Sequence, residues 1–257
     1  MSAPATRTVT RGRGHQHFLD GERVPGVTTI TGDGVPKPAL IDWVGRATAG
    51  YAIDHWHELA KLPVSVRLRR LEKARFEETR AAGARGTKVH ELAARYVIGD
   101  EIVIPDELRG HVEACIAFLE EWRPRELLIE TTVVNRRWRY MGRLDLVAIM
   151  GQPERCYVLD WKTAASGVWS ETALQLAAYA HCETYLDANG DEQPMPHIEA
   201  GAAVWLRADG YDVIPVDISD ETFRMFLYAQ QIAAFAGAPR ETYVGAALQA
   251  PALEAAS

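Results

Sequence analysis

The sequence predicts an α/β fold in which a central mixed β-sheet is flanked by helices and preceded by a helical region. Three observations lead there. From about residue 39 to 122 the apolar residues recur at helical spacing; from 126 the period shortens to that of strands. Three such strands, 126–135, 139–150 and 155–162, follow one another across turn-sized gaps. A helix-length apolar segment and two further strands complete the order α-β-β-β-α-β with an extra hairpin strand, which calls for helices layered on a sheet.

Residues 1–17 read as a flexible polar arm. From Phe18 to Ile30, "FLDGERVPGVTTI" suggests a short hairpin, with Asp20-Gly21 as its turn and the β-branched VTTI as a strand. Helices are expected at about 39–60 and 67–81, and a third from near Gly86 to a stop at Gly99. A fourth spans about 106–122, with Leu108, Val112, Cys115, Ile116 and Leu119 on one face. After the three strands, a helix at 170–187 has Ser170 as a suitable N-cap and Glu171 in its first turn. "AGAAVWLRA" and "YDVIPVDI" are strands on either side of the turn Asp209-Gly210, and an amphipathic helix spans about 219–237. Residues 246–257 form a loose tail. No repeat or linker divides 18–245, which reads as one domain: a helical part at about 39–122 and a sheet core at about 126–237.

Composition excludes several classes. No run of about 18 uncharged apolar residues is present, and the N-terminus lacks the apolar core of a secretory signal, so a cytoplasmic, non-membrane protein is expected. The three cysteines, Cys115, Cys156 and Cys182, lie far apart and cannot supply a four-cysteine zinc or iron–sulfur site. "TGDGVPKP" lacks the lysine and hydroxyl spacing of a phosphate-binding loop, so no ATP site is expected. The net charge of −7 alone argues against nucleic acid as a partner. The distribution argues the other way. Residues 67–88 hold eight basic side chains against three acidic, and "RRWRYMGR" (136–143) holds four more around Trp138 and Tyr140.

Some charged residues fall where a buried sheet should have none. Strand alternation places Leu144, Leu146 and Ala148 on one face and Arg143, Asp145 and Val147 on the other. Asp160 and Lys162 share a face of the following strand, with Trp161 pointing away. If the two strands pair, two carboxylates and one ammonium converge. A buried Asp–Lys ion pair accounts for one carboxylate and leaves the other in surplus. A divalent cation resolves the surplus, since hard oxygen donors suit Mg2+ or Mn2+ and a lysine beside them can orient or activate water. His90, on an otherwise apolar helix face, is a candidate third donor. Gln175 and Tyr179, four apart on a helix, can both hydrogen-bond toward the same place.

In order, "RGTKVH" (85–90), "GRLD" (142–145), "LDWK" (159–162) and "QLAAY" (175–179) resemble the RecB-type exonuclease branch of the PD-(D/E)xK nuclease superfamily. "VPGVTTI…KPALIDW" is similar to the opening of phage-encoded members, and the resemblance spans about residues 22–180. It implies a restriction-endonuclease-like core and a metal-dependent DNA exonuclease serving phage recombination or replication. Its implied metal ligands are His90, Asp145, Asp160 and the backbone carbonyl of Trp161, for one or two Mg2+ or Mn2+ ions. Asp145, Asp160, Lys162, Gln175 and Tyr179 would be catalytic, with Glu130 a further candidate near the site. Arg85, Lys88, Arg136, Arg137, Trp138, Arg139, Arg143, Gln175 and Tyr179 would contact DNA. Relatives with an iron–sulfur cluster hold it on four cysteines, which this chain lacks. A single-strand-annealing recombinase is the partner the resemblance suggests. A flap or branch endonuclease of the same chemistry and a non-catalytic DNA-end-binding module are the alternatives.

Overall fold

The structure, a computed structural model, describes residues 6–11 and 14–249. Three short strands come first: β1 (Arg7–Arg11), β2 (Gly14–Leu19) and β3 (Glu22–Val24), paired antiparallel in that order. The β2–β3 turn is at Asp20-Gly21, as expected. The polar segment expected to be a flexible arm is thus largely strand within the described residues. Its Thr-Val-Thr core favours extended backbone, and Leu19 and Val24 bury against Val134 and Met141 of the main sheet.

The helices follow as α1 (Val27–Gly34), α2 (Pro38–Asp54), α3 (Trp56–Leu59), α4 (Val64–Val97) and α5 (Arg109–Trp122). The VTTI segment is helix α1, not a strand. Val27, Ile30, Thr31 and Gly34 are buried at helical spacing, and this packing overrides the β preference of the branched residues. The two helices expected at 67–81 and from Gly86 are one continuous helix, α4, roughly 50 Å long. Gly86 remains in it because the helix passes close to the sheet there: a Cβ would lie 3.2 Å from Thr163 Oγ1. Gly99, at φ 84°, follows the end of α4 as expected.

The sheet is built from β4 (Arg125–Asn135), β5 (Tyr140–Met150), β6 (Arg155–Lys162), β7 (Thr184–Leu186), β8 (Glu192–Pro194), β9 (Ala200–Arg207) and β10 (Gly210–Val216). Helix α6 (Glu171–Ala180) follows β6, and α7 (Asp220–Gly237) follows β10. Strand order is β10-β9-β6-β5-β4-β7-β8, antiparallel except for β6 with β9. A central seven-stranded mixed sheet flanked by helices is therefore present. Helices α1, α6 and α7 pack on one face around Leu144, Val147, Val158 and Leu176; α4 and α5 pack on the other around Leu146, Leu159, Trp161 and Phe118.

Two expectations are corrected in this region. The helix expected to reach 187 stops at Ala180, and the chain turns into β7 and β8, which extend the sheet beyond β4. Ser170 stands before α6 in helical geometry and caps nothing with its side chain, whereas Ser219 accepts from Thr222 N at 3.4 Å at the start of α7. Gly142 is demanded by packing: a Cβ there would lie 2.6 Å from Tyr179 Cε1 and 3.0 Å from Val27 Cγ2. Among the described residues no helix is long and apolar enough to cross a membrane.

Candidate metal centre and active site

The site forms where two strands part. Strands β5 and β6 are paired from Met150–Arg155 to Leu146–Leu159. Beyond that pair β5 continues with β4 and β6 with β9, so the next residues, Asp145 and Asp160, stand on either side of a fork. The Trp161 N–H donates to Asp145 Oδ2 at 2.8 Å, so a carboxylate takes the place of a ladder partner. The expected alternation slips here. Leu144 and Val147 lie in the layer of α1, α6 and α7, while Leu146 and Ala148 lie in the layer of α4 and α5. Asp145 consequently faces α4 rather than sharing a face with Val147.

Helix α4 supplies His90, held in place by buried Val89, Leu92 and Ala93. Its Nε2 lies 2.9 Å from the Trp161 carbonyl oxygen, and its Nδ1 lies 3.4 Å from Asp145 Oδ2. Strand β4 supplies Glu130, which the register places opposite Asp145, between the pairs Ile129–Leu146 and Thr131–Leu144. Glu130 adopts φ 46°, uncommon for a non-glycine residue, at the point where its side chain turns into the site. Arg143 Nε donates to Glu130 Oε2 at 2.9 Å, while Oε1 is buried without a partner. One ligand atom each from His90, Glu130 and Asp145 lies within 4.8 Å of the others, a spacing that suits one cation.

The electrostatics are those of a negative pocket. Burial disfavours charge on His90, but Asp145, then Asp160 and Glu130, outweigh it and raise the imidazole pKa to about 9. Burial and the nearby Asp145 charge push Glu130 up to about 6, against the opposing Arg143. Burial also disfavours the Asp145 carboxylate, yet His90, the Trp161 N–H and Lys162 hold its pKa below the ordinary value. Without a metal, a protonated His90 donates to Trp161 O and pairs with Asp145, and so adds a cation on the α4 side of the site.

This gives a pH prediction for the metal-free protein. The folded pKa of His90 is raised from 6.5, so its stabilising contribution is complete below about pH 6.5 and is lost as pH rises through about 9. In chelator, the His90 imidazole resonances should titrate near 9. A midpoint at or below 6.5 would contradict the charge arrangement described.

The other half of the fork faces α6. Asp160, with only 3% of its side chain exposed, places Oδ2 2.5 Å from Lys162 Nζ. Gln175 Nε2 donates to Asp160 Oδ1 at 2.8 Å, and Gln175 Oε1 accepts from Lys162 Nζ at 3.2 Å. Gln175 thus spans the Asp-x-Lys pair with both ends of its amide. Tyr179 is buried one turn further on, its hydroxyl 3.4 Å from Gln175 Nε2. Burial raises the Asp160 pKa despite Lys162, and the Asp160 and Asp145 charges keep Lys162 protonated despite burial.

The basic residues divide into separate places rather than forming one surface. Arg85 is half-buried on α4, with its Nε buried and unpartnered. Lys88 is exposed and pairs with Glu91 at 3.0 Å. Arg136 is engaged by Asp20, Glu192 and Thr6, and Arg139 by Glu22 at 2.7 Å. These two arginines fasten the β4–β5 turn to neighbouring elements. Arg137 stacks over the Trp138 ring at 5.3 Å, leaving Trp138 partly exposed, and Arg143 enters the site through Glu130. Residues that the sequence did not single out also border the site: Thr28, Lys37 and Trp169 line a cavity beside Lys162. No periodicity marks them, because three different elements bring them together.

No protein-family model and no curated protein matches the chain. Among solved structures, the chain is similar to the crystal structure of SSO0001, at 13% identity over 60% of this chain and 70% of that one, with a TM-score of 0.30.

Proposed function

We propose that this chain is a metal-dependent deoxyribonuclease with a PD-(D/E)xK core, acting as an exonuclease on DNA ends. The observation that supports it most is the fork: Asp145 and Asp160 flank the point where β5 and β6 separate, with Lys162 two residues beyond. A merely structural ion pair needs one carboxylate, whereas this site gathers three and leaves Glu130 Oε1 buried and unpaired.

The donor set suits a hard divalent ion, which His90, Glu130, Asp145 and the Trp161 carbonyl would hold with Asp160 alongside. When bound, Mg2+ or Mn2+ supplies Lewis-acid polarisation of a phosphate oxygen and acidifies water. His90 must give up its proton before it can serve as a ligand. Lys162 holds an ammonium at the fork and aims it at the phosphate and the incoming water. Its charge stabilises the transition state, in which a P–O bond to water forms as the bond to the sugar oxygen breaks. Gln175 fixes the directions of Asp160 and Lys162 together, and Tyr179 backs Gln175. A role in phage recombination or replication, with a single-strand-annealing recombinase, is the biological setting we propose.

The test is incubation with linear single-stranded, linear duplex and covalently closed circular DNA, with Mg2+ or Mn2+ and with chelator. The expected result is loss of linear DNA only, and only with metal. Nicked circles would replace this reading by an endonuclease, and binding without any product would replace it by a non-catalytic end-binding module.

A further inference from the structure

On the α6 side of the sheet, a cavity of about 300 Å3 opens beside Lys162 and Gln175. Three features narrow what it can hold. Trp169 forms one wall and is 49% exposed; its Nε1 donates to Ser166 Oγ at 3.0 Å, and among the described residues no ring or cation covers its faces. The exposed Thr28 hydroxyl offers a neutral hydrogen-bonding group from a second side. Lys37 contributes a cation whose Glu171 partner lies 3.7 Å away, a loose pair that a phosphate can displace.

An aromatic face, a hydroxyl group and a displaceable cation together suit a nucleotide: a base to stack, an edge to hydrogen-bond and a phosphate to neutralise. A cavity of this size has room for about one nucleotide. We infer that it receives a single unstacked nucleotide adjoining the scissile phosphate, so that the substrate is single-stranded where it is cut. This rests on the nuclease reading, which puts the phosphate at Lys162. A base still paired in a duplex would have to leave the stack first, and that costs free energy.

Binding in chelator separates this inference from catalysis. Fluorescence anisotropy would compare labelled single-stranded oligothymidylate, a blunt duplex of equal length and an oligomer with an abasic terminus. Wild type should prefer the single strand. Trp169→Ala should weaken single-strand binding about tenfold, and Trp169→Phe should weaken it less. The Trp169→Ala penalty should disappear on the abasic strand, with thermal melting of both variants matching wild type. Unchanged single-strand affinity in Trp169→Ala, an equal penalty on the abasic strand, or preference for the duplex would overturn the inference. If Trp169→Ala does not fold, Trp169→Phe compared on the intact and abasic strands decides the point. Parallel cleavage with Mg2+ reports on the nuclease reading: a wild type that cleaves while Trp169 proves irrelevant loses only the pocket, and one that neither binds nor cleaves loses both.

Discussion

Asp145→Ala is expected to lower the stability of the metal-free protein by about 3 kcal/mol and to abolish cleavage. Two losses add. The Trp161 N–H, on a residue that is almost wholly buried, is left without its 2.8 Å acceptor. His90 loses the largest of the charges that raise its pKa, so burial weighs more heavily against its protonated form. Asp145→Asn keeps an acceptor for Trp161 and should recover much of the stability but none of the activity. The sign with pH follows from the depressed Asp145 pKa. Its contribution is present above the ordinary carboxylate value and is lost as pH falls through the folded one, so wild type and variant should converge in acid. Urea midpoints in chelator measure all of this. Equal midpoints for Asp145→Ala and wild type at neutral pH would show that the fork does not depend on this carboxylate.

Lys162→Met should slow turnover by roughly a hundred- to a thousandfold, with a smaller change in KM. Methionine keeps most of the stem, so the loss isolates the ammonium. Lys162→Arg should not restore the rate. The lysine is only 26% exposed and reaches two partners at once, Asp160 and Gln175, and a planar guanidinium cannot reproduce both contacts in that space. Single-turnover cleavage on linear DNA measures the chemical step directly. A rate within about threefold of wild type would remove Lys162 from the proposed chemistry.

The strands around the site were legible because they combine alternation with turn residues: β4, β5 and β6 begin and end within about a residue of expectation. What alternation could not reveal is the slip at Asp145, because it arises from the parting of two strands and not from the local pattern. The same applies to Glu130. Its side chain reaches the site through a positive φ, and only the pairing register shows that it stands opposite Asp145. The VTTI segment misled because its β-branched residues also recur at helical spacing, and the neighbouring helices decided between the two. Glycines misled in α4, where Gly86 reflects close approach to Thr163 rather than a helix end. The basic window at 136–143 was visible as charge, but the carboxylates that engage Arg136 and Arg139 come from β3, β8 and the β2–β3 turn, far away in sequence.

The contact between Gly142 and the Tyr179 ring restricts the order in which these positions can change. A methyl at 142 introduced first meets the ring at 2.6 Å and Val27 at 3.0 Å, and is rejected by overpacking. If the ring at 179 shrinks first, the methyl becomes tolerable once Val27 adjusts, and it then fills part of the space left behind. One path between the two sequences is open and the other is closed, although both end at the same pair. The effects of substitutions in "GRLD" and "QLAAY" are therefore non-additive, and each of these motifs sets what the other can become.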